Sequence, residues 1–231
     1  MRIPPTALLT ALLLLAPGLA PGAELTGTLW VSRAVAQHWP DRAAVTSATR
    51  RAVVRDQRGV TDAVVWIEQI PDKVERQLAD GGIHWFWRRR GTPHLPCLVQ
   101  NAHAFTPHVL AVVSGTQVEF RNLDRVYHNA FSVSAAQRFD IGKYPPGRSD
   151  TVLFEHPGVV NLHCDIHPDE LGFVVVTPNH ASARPDSTGA FVLPHLPPGH
   201  YTARAWHPRL GETHVAFDVP KRGSVDLRLV L

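Results

Sequence analysis

The chain has 231 residues and a formal charge of +3, carried by twenty arginines and only three lysines. A balance this mild argues against nucleic-acid binding. Twenty prolines cut the chain into pieces too short for a helical bundle, which points to an all-β protein.

In chain order, Met1–Arg2 gives a short positive start and "TALLTALLLLA" (6–16) is an apolar run too short to span a bilayer. With "PGLAPGA" following, residues 1–23 are expected to be a secretory signal cleaved after Ala23, and no membrane insertion is expected afterwards. No cysteine lies near that point, so lipid anchoring has no support. "ELTGTLWV" (24–31) and "GVTDAVVWIEQI" (59–70) read as strands, and residues 32–58 between them are ambiguous. "PDKVERQLADGG" predicts a short connector helix with Asp72 as cap, Glu75 completing a capping box, Val74 and Leu78 on one face, and Gly81 as stop. "HWFWRRRG" (84–91) fits a half-buried strand end with snorkelling arginines better than a patch for an acidic partner.

Strand signals become regular from Leu98. Val118 and Phe120 alternate after a Ser-Gly turn, as do Phe131 and Val133, Val152 and Phe154, and then Val160, Leu162 and Cys164; "GFVVVTP" closes the unit. "NHASARPDS" (179–187) reads as a linker. Beyond it, Phe191/Leu193, Tyr201/Ala203/Ala205, Val215/Phe217/Val219 and Val225/Leu227/Leu229 mark four strands. A core of about 45 residues is small, so this tail is expected to borrow partner strands from residues 25–31 and 59–70. The expected divisions are 24–97 for the N-terminal strands and connector, 98–178 for the central domain and 186–231 for the C-terminal module.

Chemistry concentrates in "VVNLHCDIHPDEL" (159–171), where a thiol, histidines and acids share one short loop. Three readings stand. Cys164 pairs with Cys97, the chain's other cysteine; or His128, Cys164, His167 and Glu170 hold zinc; or His128, Cys164 and His167 form the trigonal two-nitrogen, one-thiolate set of a copper electron-transfer site. His163 should face the other side of the strand as a solvated residue. His103, His108 and His156 are expected to be structural or exposed, and Trp206 to be core. His195, His200, His207 and His214 are weak candidates for a second metal cluster. No Gly-x-Ser-x-Gly, His-Glu-x-x-His, P-loop or dinucleotide motif is present, so enzymatic activity is not expected.

"FTPHVLAVVSGTQVEFRNLDRVYHNAFSVS" and "PGVVNLHCDIHPDELGFVVV" resemble the plastocyanin-type cupredoxins, most of all the periplasmic cupredoxin-like proteins called methylamine-utilisation proteins. The resemblance covers about residues 98–178. "GAFVLPHLPPGHYTARAWH" separately resembles the carboxypeptidase-regulatory or transthyretin-like β modules. Together they imply a Greek-key cupredoxin sandwich plus a small β-sandwich module. They also imply one mononuclear copper, electron transfer outside the cytoplasm and a periplasmic redox protein as partner. The second reading is a noncatalytic binding or copper-handling module of an envelope complex, with zinc or no metal. One departure matters. These relatives read Cys-x-x-His-Pro-x-Met with methionine as axial ligand, whereas this chain has Glu170 there and its single methionine is Met1. Glu170 is then a candidate oxygen ligand, a bystander beside a three-coordinate copper, or the mark of a site that has drifted to another metal or to none.

Overall fold

The computed structural model describes residues 23–31, 61–80 and 95–231. The expected leader up to residue 22, the stretch 32–58, Gly81 and the aromatic–arginine segment 84–91 lie outside the described residues. Ala23, at the expected cleavage point, is the first residue of a strand and is fully buried opposite Leu196.

The strands are β1 (Ala23–Trp30) and β2 (Val64–Ile67), with helix α1 (Asp72–Asp80) after them. Nine follow: β3 (Cys97–Asn101), β4 (Ala104–Thr106), β5 (Val109–Val113), β6 (Thr116–Asn122), β7 (Phe131–Val133), β8 (Arg138–Asp140), β9 (Ser149–Phe154), β10 (Gly158–His163) and β11 (Leu171–Thr177). The chain ends with β12 (Ser182–Ala183), β13 (Ala190–Leu196), β14 (Gly199–His207), β15 (Gly211–Val219) and β16 (Ser224–Val230). The described residues are therefore all-β with one short helix among them, and they form two sandwiches.

The central sandwich packs the sheet β4-β3-β6-β9 on β5-β11-β10-β7-β8, and the chain crosses repeatedly between them in Greek-key fashion. Inward residues at period two fill its core: Val118 and Phe120, Val152 and Phe154, Val160 and Leu162, Val174 and Val176. The second sandwich packs β13-β1-β16 on β12-β2-β14-β15. Here β1 lies antiparallel to β13 and parallel to β16, and β2 pairs with β14, so early strands complete the sheets of the tail. Gly27 of β1 permits this closeness, because a Cβ there would lie 2.4 Å from the Phe191 ring and 2.6 Å from the Leu227 carbonyl oxygen.

Four local features depart from the sequence pattern. In β7 it is Ser132 that is buried, while Phe131 is half-buried and Val133 exposed. The buried run His128–Asn129–Ala130 sets the phase, placing Ala130 and Ser132 inward. On α1, Val74 and Leu78 are buried as the spacing predicts, but Pro71 caps the helix with its carbonyl. Glu75 instead accepts hydrogen bonds from His180, whose backbone N–H stands 2.9 Å away. The stretch 179–187 is packed: Ala181 is fully buried, and the Asn179 amide donates to the Ile67 carbonyl at 2.9 Å. Finally, β11 is apolar on both faces because both are covered. Val174 and Val176 face the central core, whereas Phe173 and Val175 meet Val64 and Trp206 between the sandwiches. Trp206 thus sits in a core, at the junction. Among the described residues no helix is long and apolar enough to cross a membrane.

Candidate metal centre

The site forms where two separated backbone pieces meet, the segment of His128 and the loop 164–170. His128 is fixed by a bridge to Tyr144, each residue's N–H donating to the other's carbonyl at 3.2 and 2.9 Å. Cys164 follows β10 directly, on the inward phase of Val160 and Leu162. His167 and Glu170 stand on the loop entering β11, tightened by the Glu170 N–H donating to the His167 carbonyl at 2.9 Å. One ligand atom from each of His128, Cys164, His167 and Glu170 lies within 4.8 Å of all the others. The four candidates therefore converge.

His128 Nδ1 and His167 Nδ1 are 3.2 Å apart, and Cys164 Sγ lies 4.0 and 3.7 Å from them. Glu170 Oε2 is 2.9 Å from His128 Nδ1 and 3.6 Å from His167 Nδ1. The His128 ring is fully buried, as are Cys164 and Glu170, while His167 keeps a solvent-facing edge. Burial leaves the Cys164 thiol raised in pKa, and the backbone N–H groups of Asn129, His167 and Ile166 offset only part of that rise. The Asn129 N–H reaches the sulfur at 3.4 Å. Those donors stabilise a thiolate, the form that binds metal. The cysteines are unpaired, so the Cys97–Cys164 disulfide does not form. Cys97 opens β3 opposite Glu119, while Cys164 is committed to the cluster.

Sequence reasoning missed four residues around this cluster. Asp124, four residues before His128, places Oδ2 at 3.4 Å from His128 Nε2, so an Nε2–H donated to it leaves Nδ1 as the free lone pair. His103 stacks its ring on His167 with centroids 4.3 Å apart and 19° between planes. It occupies a two-residue turn with Ala102, both at positive φ (56° and 51°), and its N–H donates to Asp124 at 3.2 Å. Gln100 and Tyr144 form a buried chain behind Glu170, and burial followed by the Glu170 charge pushes the Tyr144 hydroxyl up in pKa. Only the histidine at 103 announces itself in sequence. A buried glutamine in a strand has no local signal.

The other histidines lie elsewhere. His163 sits beside Phe131 on the far face of β10, with ring centroids 5.6 Å apart. His108 pairs with Asp62 at 2.9 Å. In the tail, His195 contacts the Ala23 carbonyl, His200 pairs with Asp218, and His207 is buried at the junction. Among the described residues these tail histidines form no metal-ligand group with His214.

No protein-family model matches the chain, and no curated protein matches it. Solved structures do. The purple cupredoxin from Nitrosopumilus maritimus is 26% identical over 36% of this chain and 99% of its own, with a TM-score of 0.34. The copper-containing nitrite reductase from Thermus scotoductus SA-01 is 27% identical over 38% of this chain, with a TM-score of 0.35; the match spans only 24% of the reductase. Amicyanin in a reduced Cu(I) form is 20% identical over 38% of this chain and 86% of its own, again at 0.35.

Proposed function

We propose that this chain is a cupredoxin-like protein exported from the cytoplasm, which holds one copper through His128, Cys164 and His167 with Glu170 as fourth donor and exchanges single electrons with a redox protein. The observation that carries this reading is the size of the donor triangle, with sides of 3.2, 3.7 and 4.0 Å. For bonds of about 2.0 Å to nitrogen and about 2.3 Å to sulfur, those sides subtend about 106°, 119° and 137°, which add to about 360°. A tetrahedral ion needs about 109° at each, which shortens the sulfur–nitrogen sides to about 3.5 Å. The triangle therefore favours the trigonal set that copper uses over the tetrahedral set of structural zinc.

Glu170 fits the remaining position. Its Oε2, 2.9 Å from His128 Nδ1 and 3.6 Å from His167 Nδ1, is close enough to both nitrogens for one ion to be held by all of them. Copper bound there would supply one-electron redox chemistry. The protein's part is to hold two imidazoles, a thiolate and a carboxylate in an arrangement that suits both oxidation states, within an apolar shell. Asp124 orients the His128 ring, the Asn129 N–H restrains the sulfur, and burial keeps water from three of the four donors. The second sandwich serves docking or stability.

The competing reading, a β-sandwich module with zinc or no metal, is favoured by one observation: the fourth donor is a buried carboxylate, which zinc also accepts. Loading the purified protein with Cu(II) separates the two. An intense thiolate-to-copper absorption that bleaches on reduction is expected; a colourless protein that retains zinc against copper would overturn the proposal. Replacing Glu170 with Met should then give a bluer spectrum and a higher potential, because a harder anionic donor favours Cu(II). An unchanged spectrum would mean that Glu170 does not touch the metal.

A further inference from the structure

Behind the donor cluster, Gln100 is fully buried on β3, with every polar atom of its amide engaged. Its Nε2 donates to Glu170 Oε1 at 2.9 Å and to the Asn129 carbonyl at 3.0 Å. Its Oε1 accepts from the Tyr144 hydroxyl. These partners fix the amide orientation, since a flip would set its oxygen against a carboxylate and a carbonyl. One oxygen of Glu170 is thereby occupied by an N–H, and the other faces both ring nitrogens.

We infer that Gln100 is a positioning residue for the metal: by holding Glu170 Oε1, it allows the carboxylate to offer a single oxygen, Oε2, to the ion. Tyr144 supports this by holding the Gln100 carbonyl, and its own backbone is bridged to His128. The two pieces that build the site are thus tied together through one amide. A carboxylate without this restraint can turn to bind through both oxygens or swing off the ion. Either movement changes the ligand field without altering the His128–Cys164–His167 triangle. The inference rests on the metal reading above.

The test compares optical and EPR spectra of the Cu(II)-loaded wild type, Gln100→Leu, Tyr144→Phe, Glu170→Met and the Gln100→Leu/Glu170→Met double variant. Copper affinity is measured by competition in the same proteins. Gln100→Leu is expected to shift the thiolate band and weaken Cu(II) binding about tenfold, the usual scale for losing a group that orients a ligand. Tyr144→Phe, which leaves the amide in place, is expected to shift the band in the same direction by less. It keeps the test decisive if Gln100→Leu does not fold. In the Glu170→Met background the loss of Gln100 is expected to leave the spectrum unchanged, because a thioether has no carboxylate oxygen for the amide to hold. A merely structural role would disturb both backgrounds alike, and that result overturns the inference. So does a wild-type band that moves in Glu170→Met but stays put in Gln100→Leu and Tyr144→Phe. If the wild type shows no thiolate band at all, the metal reading fails first and takes this inference with it.

Discussion

His207 offers a test of how the two sandwiches are joined. It ends β14 beside Trp206, is 7% exposed, and accepts the Arg209 N–H on Nδ1 at 3.2 Å. Burial lowers its pKa from 6.5 to about 4, with Asp62 pulling it back up and Arg209 and His108 pushing it further down. The folded value lies below the unfolded one, so as pH falls below about 6.5 the unfolded chain takes up a proton that the folded chain refuses until about 4. Stability is unaffected by this group above about pH 6.5 and is lost progressively between there and pH 4. At about 1.36 kcal/mol per unit, the full shift amounts to roughly 3 kcal/mol, of which about 2.5 kcal/mol is lost by pH 4.5. Asp62 contributes little in this window, because its His108 hydrogen bond holds its carboxyl below 3.8. Urea unfolding of the wild type and His207→Gln at pH 7.5 and 4.5 isolates the effect. Glutamine keeps an acceptor for Arg209 and does not titrate. The wild type should lose about 2.5 kcal/mol more than the variant over that interval. Parallel pH dependences would refute the account of a neutral imidazole held in the junction.

Three further outcomes are expected. Cys164→Ser should abolish the thiolate-to-copper band while Cys97→Ser leaves it intact, since the structure puts only Cys164 in the cluster; loss of the band in both, read by absorbance, would contradict that assignment. Phe120→Ala removes a fully buried ring packed against Phe139 and Phe154 and should cost about 3–5 kcal/mol in urea unfolding. Glu170→Met should cost the metal-free protein about 1–3 kcal/mol, measured by urea unfolding with a chelator present, because it leaves a buried Gln100 N–H without its acceptor; a gain in stability there would mean that burying the carboxylate outweighs its hydrogen bonds.

Much of the central sandwich is legible in the sequence because one face of each strand is buried and the other is solvated. Val118/Phe120 and Val152/Phe154 alternate for that reason, and Cys164 inherits its inward direction from the phase of Val160 and Leu162. Where this condition fails, so does the pattern. β11 reads as a featureless apolar run because a second sandwich covers its outer face, and nothing local in "GFVVVTP" says what that cover is. β7 reads in the wrong phase because its direction is set by the buried His128–Asn129–Ala130 segment ahead of it. The loop ligands Cys164, His167 and Glu170 stand out because three donor types crowd into seven residues. Gln100, Asp124 and Tyr144 reach the same site from positions where an amide, an acid or a phenol is unexceptional, so only long-range folding discloses them.

The electrostatics of the pocket bear on whether it was built around a cation. Glu170 is 2% exposed, and among the described residues its ion-pair partners are His128 and His167 rather than a lysine or arginine. Withdrawing a carboxylate from water without a permanent positive charge costs several kcal/mol. The fully buried His128 ring compounds the difficulty. Its Nδ1 faces Glu170 at 2.9 Å and its Nε2 faces Asp124 at 3.4 Å, yet a neutral imidazole carries one N–H and can satisfy one acceptor. A cation bound where its Nδ1, the Cys164 sulfur, the His167 ring and Glu170 Oε2 converge would resolve this: Nδ1 would give it a lone pair, Nε2–H would donate to Asp124, and the sulfur and the carboxylate would share a counter-charge. An apolar residue at position 170 would avoid this cost but would leave a buried Gln100 N–H without its acceptor, so the acid serves the hydrogen-bond network as well as the metal site proposed above.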